Sequence, residues 1–217
     1  MNINTDMRSR IVETAERLFR VYGYQKTTVA DIAKELKMSP ANVYRFFQSK
    51  MELTEAVAHM LMGQVETAVT AIARDESQSA AARLRQFFAT LFRMNAERYI
   101  ADNKMHEMCA VAMNENWPFI EAHIERIAAI LAEIIADGIR SGEFPPGDPK
   151  VLATCVHKSM LVLCHPMMVA QIGTEKAAAL LPLLSEFAIA ALRHGVEISV
   201  GASDHAPSAM PASSCVP

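Results

Sequence analysis

The fold of this chain is decided by residues 27–50, TTVADIAKELKMSPANVYRFFQSK, which contain the start signals of two short helices joined by a tight turn. Thr28 precedes Asp31 by three residues, as in a capping box, where the hydroxyl accepts a backbone N–H and the carboxylate faces the positive helix end. Ser39 is a second N-cap, and Pro40 fills the first helical position, where its missing N–H costs nothing. The spacing predicts a helix-turn-helix.

The first of these helices carries one buried stripe at helical spacing, formed by Val29, Ile32, Ala33 and Leu36. Lys37 and Met38 are left as the turn. Ser49 with Glu52 repeats the cap pattern, so a third helix is predicted to begin directly after the second.

The second short helix, from Pro40 to about residue 47, has side chains suited to a DNA major groove. With Val43 turned inward, the helical step places four other residues outside or on the flanks: Ala41, Asn42, Tyr44 and Arg45. Ala41 allows close approach to base edges, Asn42 can pair with adenine, and Arg45 can bind guanine or phosphate. Tyr44, and Lys50 in the next helix, suit phosphate contacts. Thr28, Ser39 and Pro40 complete the predicted DNA-binding set. The alternative is a small helical core with a solvated basic rim.

Residues 11–57 also carry several motifs in a fixed order. These are A-x-x-L-F at 15–19, Gly23-Tyr24, T-T-V-x-D-I-A at 27–33, and S-P-x-x-V-Y-x-x-F-x-S-K at 39–50. Together they resemble the DNA-binding domain of TetR-family (tetracycline-repressor-like) regulators. The chain departs from the family pattern at Lys37, where members often have glycine, and at Ala41, where they often have glycine or threonine. The second departure bears on which bases are read.

Composition agrees with a globular, all-α protein. The 217 residues are 51% hydrophobic and 21% charged, and they are rich in alanine and poor in glycine. Residues 1–50 hold nine Lys or Arg and five Asp or Glu, a net charge of +4, whereas residues 51–217 hold twelve and nineteen, a net charge of −7. The basic excess therefore lies where DNA is predicted to bind.

Targeting and redox signals are weak. The chain has no signal-like amino-terminal run and no stretch approaching the roughly 18–20 uninterrupted apolar residues of a membrane span. Its cysteines, at positions 109, 155, 164 and 215, show no framework spacing and fit reduced thiols. We therefore expect a cytoplasmic protein with no membrane partner.

Three segments are predicted: a helix-turn-helix domain at 1–50, a helical ligand-binding and dimerisation domain at 51–198, and a disordered Ser-, Ala- and Pro-rich tail at 199–217. Residues 1–7 are expected to form an arm before a helix at 7–22. The last two helices, predicted at 150–170 and 174–196, are apolar around most of their circumference and need partners on several sides. In the resembling family such helices form a four-helix dimer interface, here with Leu161, Met168, Leu180, Leu184, Phe187 and Leu192.

The middle helices carry residues that suit a ligand pocket: Phe88, Phe92, Met105, Met108, Met113, Trp117, Met160 and Cys164. Methionine adapts its shape, and tryptophan offers a flat face with one donor, so an apolar or aromatic small molecule is predicted. Taken singly, each of these is more often an ordinary core residue. The resemblance is what favours a pocket among them.

A metal or catalytic site is the competing interpretation of the histidines and cysteines at 106, 109, 123, 155, 157, 164 and 165. No C-x-x-C or H-E-x-x-H motif appears. An enzyme built on His106 or His157 with a cysteine needs an orienting group, for which there is no signature. We expect no metal, no cofactor and no catalytic residue.

The resemblance therefore implies a homodimeric, ligand-responsive transcriptional regulator. Its simplest form is a repressor that leaves a palindromic operator when a small molecule binds the carboxy-terminal domain. A corepressor-dependent repressor or an activator of the same fold is the alternative, and a purely structural helical dimer is a third.

Overall fold

The protein was analysed as a computed structural model, which describes residues 3–100, 104, 107–108 and 118–195. The fold is all-α, as predicted, and the described part contains no strand. The elements in chain order are α1 (Ile3–Tyr22), α2 (Val29–Glu35), α3 (Pro40–Tyr44), α4 (Lys50–Ala73), α5 (Ala80–Asn95), a π-helical segment (Ala96–Ile100), α6 (Pro118–Arg140), α7 (Pro149–Ser159), α8 (Leu161–Cys164), α9 (Pro166–Ile172) and α10 (Thr174–His194).

Helix α4 is shared by two hydrophobic cores. The amino-terminal core packs α1, α2 and α3 around fully buried side chains such as Phe19, Ile32 and Val43, and it includes Leu53 and Leu61 of α4. The carboxy-terminal core begins at Val65 on the same helix and continues through α5, α6 and α10. At a rise of about 1.5 Å per residue, the 24 residues of α4 span about 36 Å. The predicted boundary at residue 50 therefore falls at the start of a helix that joins the two cores.

The carboxyl end of α4 is fixed by a buried arginine. Arg83 on α5 is 4% exposed, and its Nη1 donates to the carbonyl oxygen of Ala73 at 2.6 Å and to Oδ2 of Asp137 at 2.8 Å. Burial acts to raise the pKa of Asp137, but hydrogen bonds and charge from Arg83 and Arg140 outweigh it, so the pKa lies below its ordinary value. The contacts tie α4, α5 and α6 together at this end.

In the described part of the chain, α4 is also the one helix long and apolar enough to cross a membrane by length and composition. Its most apolar window has a mean hydropathy of 1.2, and 33% of that window is buried in the protein. A core helix passes the same test, and α4 packs against α1, α5 and α6. The finding is therefore weak evidence for a membrane span.

Two predicted helix boundaries are wrong. Helix α1 begins at Ile3 rather than after residue 7, so most of the expected arm is helical. The helix predicted at 150–170 is divided into α7, α8 and α9. Pro166 has no N–H, and the residue before it, His165, is extended with φ −88° and ψ 118°. The tail predicted at 199–217 lies outside the described residues.

Candidate nucleic-acid interface and internal cavity

The amino-terminal helix starts are capped as their sequence predicts. The Thr28 hydroxyl accepts the Asp31 N–H at 3.2 Å, and the Asp31 carboxylate accepts the Thr28 N–H at 2.9 Å, which completes a capping box. These hydrogen bonds from Thr28 lower the pKa of Asp31. The Ser39 hydroxyl accepts the Asn42 N–H at 3.3 Å, and the Ser49 hydroxyl accepts the Glu52 N–H at 3.0 Å.

The turn between α2 and α3 is a Schellman motif. The Met38 N–H bonds to the carbonyl of Ala33 at 2.9 Å, and the Lys37 N–H bonds to the carbonyl of Lys34 at 3.1 Å. This geometry places Lys37 in the left-handed region, with φ of 56°. Lys37, where members of the resembling family often have glycine, therefore has a backbone conformation that favours glycine.

Helix α3 presents a short outward face. Val43 is fully buried, whereas the residues predicted to meet DNA on this helix, Pro40, Ala41, Asn42, Tyr44 and Arg45, are all exposed. Thr28 and Ser39 are exposed as well. The helix ends at Tyr44, earlier than predicted, and the next turn continues with the Phe46 N–H on the carbonyl of Val43 at 2.9 Å. The side chains named from sequence on α3 and at the starts of α2 and α3 are thus all accessible to solvent.

Lys50 lies beside this surface but is held by its own domain. Its Nζ donates to the carbonyl oxygen of Tyr24 at 2.5 Å and lies 4.4 Å from the centroid of the Tyr24 ring. Burial lowers the pKa of Lys50. An ammonium has three N–H donors, so this contact leaves donors for a phosphate. The predicted phosphate contact of Lys50 stays a prediction.

An internal cavity of about 100 Å³ lies in the carboxy-terminal half. Its walls come from α4, α5, α6 and the broken segment from His157 to Pro166, and most of its lining is aliphatic or methionine, including Met62, Leu91 and Ile124. Among the described residues, the polar groups on its wall are Asn95, His123, His157, Cys164 and His165. The breaks around Pro166 bring the last two of these to the cavity.

The predicted pocket residues divide into three groups. Met108 and Cys164 line the cavity. Phe88, Phe92 and Met160 are buried in the carboxy-terminal core and are not among the described lining residues of this cavity, so their place in a ligand pocket stays a prediction. Aromatic and methionine side chains fill a core as readily as they line a pocket. The remaining predicted residues, Met105, Met113 and Trp117, lie outside the described residues.

Of the polar residues on the described wall, His123, His157, Cys164 and His165 were singled out from the sequence, Cys164 as a pocket residue and all four as alternatives for a metal or catalytic site, whereas Asn95 was not. His123 falls on one stripe of α6 with Ile120, Ile124 and Ile127, and this helical spacing was available in the sequence. Nothing in the sequence joined His123 to α4. That contact depends on how α4 and α6 pack.

His123 is bonded to a carboxylate on α4. Its Nδ1 lies 2.6 Å from Oε1 of Glu66, and Arg126 Nε donates to Oε2 of Glu66 at 2.8 Å. Burial acts to raise the pKa of Glu66, but the hydrogen bonds from Arg126 and His123 outweigh it and lower the pKa. Burial lowers the pKa of His123, and Glu66 offsets this only in part. At neutral pH the pair is thus an ionised carboxylate and a neutral imidazole.

The other polar groups of the cavity are also uncharged. Burial lowers the pKa of His157 and of His165, and Nδ1 of His165 is buried without a hydrogen-bond partner. Asn95 Nδ2 donates to the carbonyl oxygen of Cys164 at 2.7 Å. Burial raises the pKa of the Cys164 thiol to about 12. Within the described ranges, no three or more His, Cys, Asp or Glu side chains are placed to hold a metal ion.

An exposed apolar face runs along α10 and the neighbouring α9. Of the predicted interface residues, Met168 is 37%, Leu180 is 39% and Phe187 is 68% exposed, whereas Leu184 is half-buried. Leu183 is 66% exposed and lies between Leu180 and Phe187 at helical spacing.

Two of the predicted interface residues have other roles. Leu192 is 3% exposed and belongs to the protomer's own core, and Leu161 lines the cavity. Leu161 is only partly buried, so its place in an interface stays a prediction, whereas Leu192 has almost no exposed surface left for a partner.

Comparisons with known proteins agree with this architecture. Residues 11–57 match the family model described as bacterial regulatory proteins, tetR family, and residues 80–181 match the tetracyclin repressor-like C-terminal domain. The chain is 26% identical over 168 residues to the uncharacterized HTH-type transcriptional regulator YhgD of Bacillus subtilis (strain 168), covering 74% of this chain and 84% of that protein.

Solved structures share the fold over nearly their whole length. SmeT, the repressor of the Stenotrophomonas maltophilia multidrug efflux pump SmeDEF, superimposes with a TM-score of 0.61 at 19% identity, covering 94% of this chain and 97% of SmeT. FadR from Bacillus subtilis, in complex with stearoyl-CoA, gives a TM-score of 0.57 at 19% identity and covers 87% of this chain and 98% of its own. At these identities the likeness shows the fold.

Proposed function

This chain belongs to the TetR family of transcriptional regulators, and from that premise we propose that it is a homodimeric repressor whose affinity for a palindromic operator is lowered by a small apolar or aromatic molecule. The observation that carries the proposal is the outward face of α3. It combines a small residue, Ala41, with an amide and a guanidinium, and it projects from a basic domain. Such a face suits direct contact with base edges.

The proposed DNA contact follows from residue chemistry. Asn42 would pair with adenine, Arg45 would bind guanine or phosphate, and Tyr44 would donate its hydroxyl to a phosphate. Thr28, Ser39 and Lys50 surround these residues at helix N-termini, where phosphate is favoured. Two copies of α3 in a dimer would occupy half-sites about one helical turn apart, which is why a palindromic operator is proposed.

Ligand response is proposed to pass through α4. Ala58, Met62 and Val65 of this helix line the cavity, and Leu53 and Leu61 of the same helix pack in the DNA-binding core. A molecule in the cavity that favours one position of α4 would therefore shift the population of the two DNA-binding heads. SmeT, a repressor of a multidrug efflux pump, and FadR, solved with stearoyl-CoA, have the same fold and support an apolar effector.

The dimer is proposed to form through the exposed apolar face of α10 with Met168 of α9. Leu180, Leu183 and Phe187 would bury this surface against the same residues of the partner, as a two-fold interface requires. We also propose a cytoplasmic location. An enzyme built on Cys164 is disfavoured, because a thiol with a pKa of about 12 is not a nucleophile at neutral pH.

A mobility-shift assay tests the proposal. DNA flanking the protein's own gene is titrated at two salt concentrations, with and without candidate apolar compounds. The proposal predicts binding that weakens with salt and is released by a compound. Binding that requires the compound would establish a corepressor-dependent regulator instead. If no duplex selected from random DNA is bound, the proposed function is wrong.

A further inference from the structure

We propose that the effector of the cavity is a single-ring aromatic alcohol, a phenol, whose hydroxyl donates a hydrogen bond to Nε2 of His123. The inference rests on the proposed function, because it identifies the effector class for that same cavity. It follows from the tautomer of His123, the hydrogen-bonding roles of the neighbouring polar groups, the volume of the cavity and the negative charge of Glu66.

The tautomer of His123 is fixed by its partner. An ionised carboxylate can only accept hydrogen bonds, so Nδ1 of His123, 2.6 Å from Oε1 of Glu66, carries the proton. In a neutral imidazole the other nitrogen is then an acceptor. Nothing in the described part of the chain bonds to Nε2, and His123 lines the cavity. The cavity therefore offers an acceptor that a ligand must satisfy with a donor.

The two other histidines of the cavity do not have a fixed role as hydrogen-bond donor or acceptor. His157 and His165 have no hydrogen-bond partner on their rings in the described ranges, so either tautomer is available to them. Asn95 already donates Nδ2 to the carbonyl oxygen of Cys164 at 2.7 Å. The Cys164 thiol is a weak donor. Among the histidines of the described wall, His123 is thus the one whose hydrogen-bonding role is set in advance, and Oδ1 of Asn95 is a second fixed acceptor.

The cavity is small. Its volume of about 100 Å³ is below the roughly 300–1,000 Å³ of sites for drug-sized ligands. A single water needs only about 10–15 Å³ of such space, so there is room for a molecule of several heavy atoms. With aliphatic and methionine walls, an aromatic ring with one polar atom fits this description.

Charge disfavours the acidic analogue at this site. A carboxylate cannot be bound by Nε2 of His123, which is an acceptor, and the ring already contacts the negative Glu66. Arg126 is engaged with that same carboxylate at 2.8 Å. A neutral hydroxyl meets the acceptor without bringing a second negative charge into a low-dielectric site.

The hydrogen bond would also reach α4. When Nε2 accepts a proton donor, the imidazole becomes a stronger donor at Nδ1, and chains of hydrogen bonds strengthen one another. Glu66 lies on α4, which enters the DNA-binding core. The ligand would thereby tighten the contact between α6 and α4, which is the contact the proposed mechanism needs to change.

Calorimetric titration of the purified protein at pH 7.5 with p-cresol, toluene and p-toluate tests the inference. The ratio of p-cresol to toluene affinity is the readout, because both share one ring and differ by the hydroxyl. In His123→Phe this ratio is expected to fall about tenfold or more, since the buried hydroxyl loses its acceptor. Retained toluene binding shows that the cavity is intact. His194→Phe, which replaces an exposed histidine of α10, should keep the wild-type ratio.

Glu66→Gln gives a second variant. A glutamine amide can donate to Nδ1 and so release the tautomer, and the ratio should fall while toluene affinity is kept. An unchanged ratio in both variants, or tightest binding of p-toluate by the wild type, would overturn the inference. DNA binding is measured separately. Operator binding that responds to other compounds would leave the proposed function standing if the phenol fails.

Discussion

Lys37 shows how a single residue carries strain in the turn of the helix-turn-helix. It has a φ of 56°, and no other non-glycine residue in the described ranges has a positive φ. An L-residue in this region costs roughly 1–2 kcal/mol. The two hydrogen bonds of the Schellman motif hold the turn in spite of that cost.

Replacing Lys37 by glycine is therefore expected to stabilise the protein. Relief of the strain exceeds the entropic cost of glycine, about 0.5–1 kcal/mol, so the free energy of unfolding should rise by about 0.5–1 kcal/mol. Urea unfolding measures it. Lys34→Gly, an exposed substitution inside α2, is the control and should lower the free energy of unfolding by about 1 kcal/mol. A loss of stability in Lys37→Gly would contradict the argument from strain.

At this scale the sequence predicts what is local. The caps at Thr28, Ser39 and Ser49 join residues three apart, and all three form. The outward position of Asn42 and Tyr44 follows from the helical step alone. The pair of His123 and Glu66 is different, because the two residues meet only after α4 and α6 pack. No local pattern encodes it.

Two glycines inside helices differ in whether a neighbouring element packs against them. Gly63, in α4, has nothing within 4 Å of where a Cβ would stand. Gly138, in α6, lies against Phe144, and an added Cβ would fall well inside contact distance of its ring and 2.9 Å from Cβ of Ala80. One glycine is a weak point in a helix, and the other allows two elements to approach.

The same substitution should therefore act in opposite directions. Gly63→Ala is expected to raise the free energy of unfolding by about 0.5–1 kcal/mol, because alanine loses less backbone entropy. Gly138→Ala is expected to lower it by about 1–3 kcal/mol through overpacking against Phe144. Thermal and urea unfolding of the two variants measure the difference. Equal changes in the free energy of unfolding would contradict the contact between Phe144 and Gly138 of α6.

The elements around the cavity predict a dependence of stability on pH. Burial lowers the pKa of His123, His157 and His165, so between their folded and unfolded values the unfolded chain binds more protons. The contribution of these histidines to the free energy of unfolding should be complete above their pKa in the unfolded chain, about 6.5. It should fall as pH drops below that value, by at most about 1.4 kcal/mol per pH unit for each histidine. The lowered pKa values of Glu66 and Asp137 act only at more acidic pH.

Urea unfolding at pH 7.5 and pH 5.5 measures this loss. His157→Leu should reduce the difference between the two pH values, and His194→Leu, at an exposed site, should not. A difference that is the same in His157→Leu and in the wild type would show that His157 does not titrate as its burial requires.

Helix periodicity predicted most elements but not their interruptions. The stripe of α2 repeats every three to four residues and predicted a helix close to the one observed, whereas the predicted start of α1 and the unbroken helix at 150–170 differ from the structure. The apolar run from 150 to 170 hid a break, because continuous hydrophobicity outweighed Pro166 in the prediction. The proline was the available signal, and the break it causes builds one wall of the cavity.

In the described part of the molecule, the two most exposed large hydrophobic side chains lie on α10. Phe187 and Leu183 are 68% and 66% exposed, and a lone protomer rarely leaves such a surface in water. Phe187→Glu is expected to yield a monomer by light scattering and to weaken operator binding, because two linked heads bind together. Val21→Glu, at a 48% exposed residue of α1, should remain a dimer. A dimeric Phe187→Glu would place the interface elsewhere.

If α3 contacts the bases of a specific operator, the protein should bind that operator more tightly than a shuffled duplex. Fluorescence anisotropy compares the affinity of the wild type and of Asn42→Ala for a duplex selected from random DNA and for its shuffled counterpart. We predict a wild-type preference of about 10³ or more. In Asn42→Ala the free-energy difference between the two duplexes should fall by about 1–3 kcal/mol. Gln171→Ala, which removes an exposed amide of α9, should leave this difference unchanged. An Asn42→Ala protein with undiminished preference, or a wild type that binds both duplexes equally, would contradict the account.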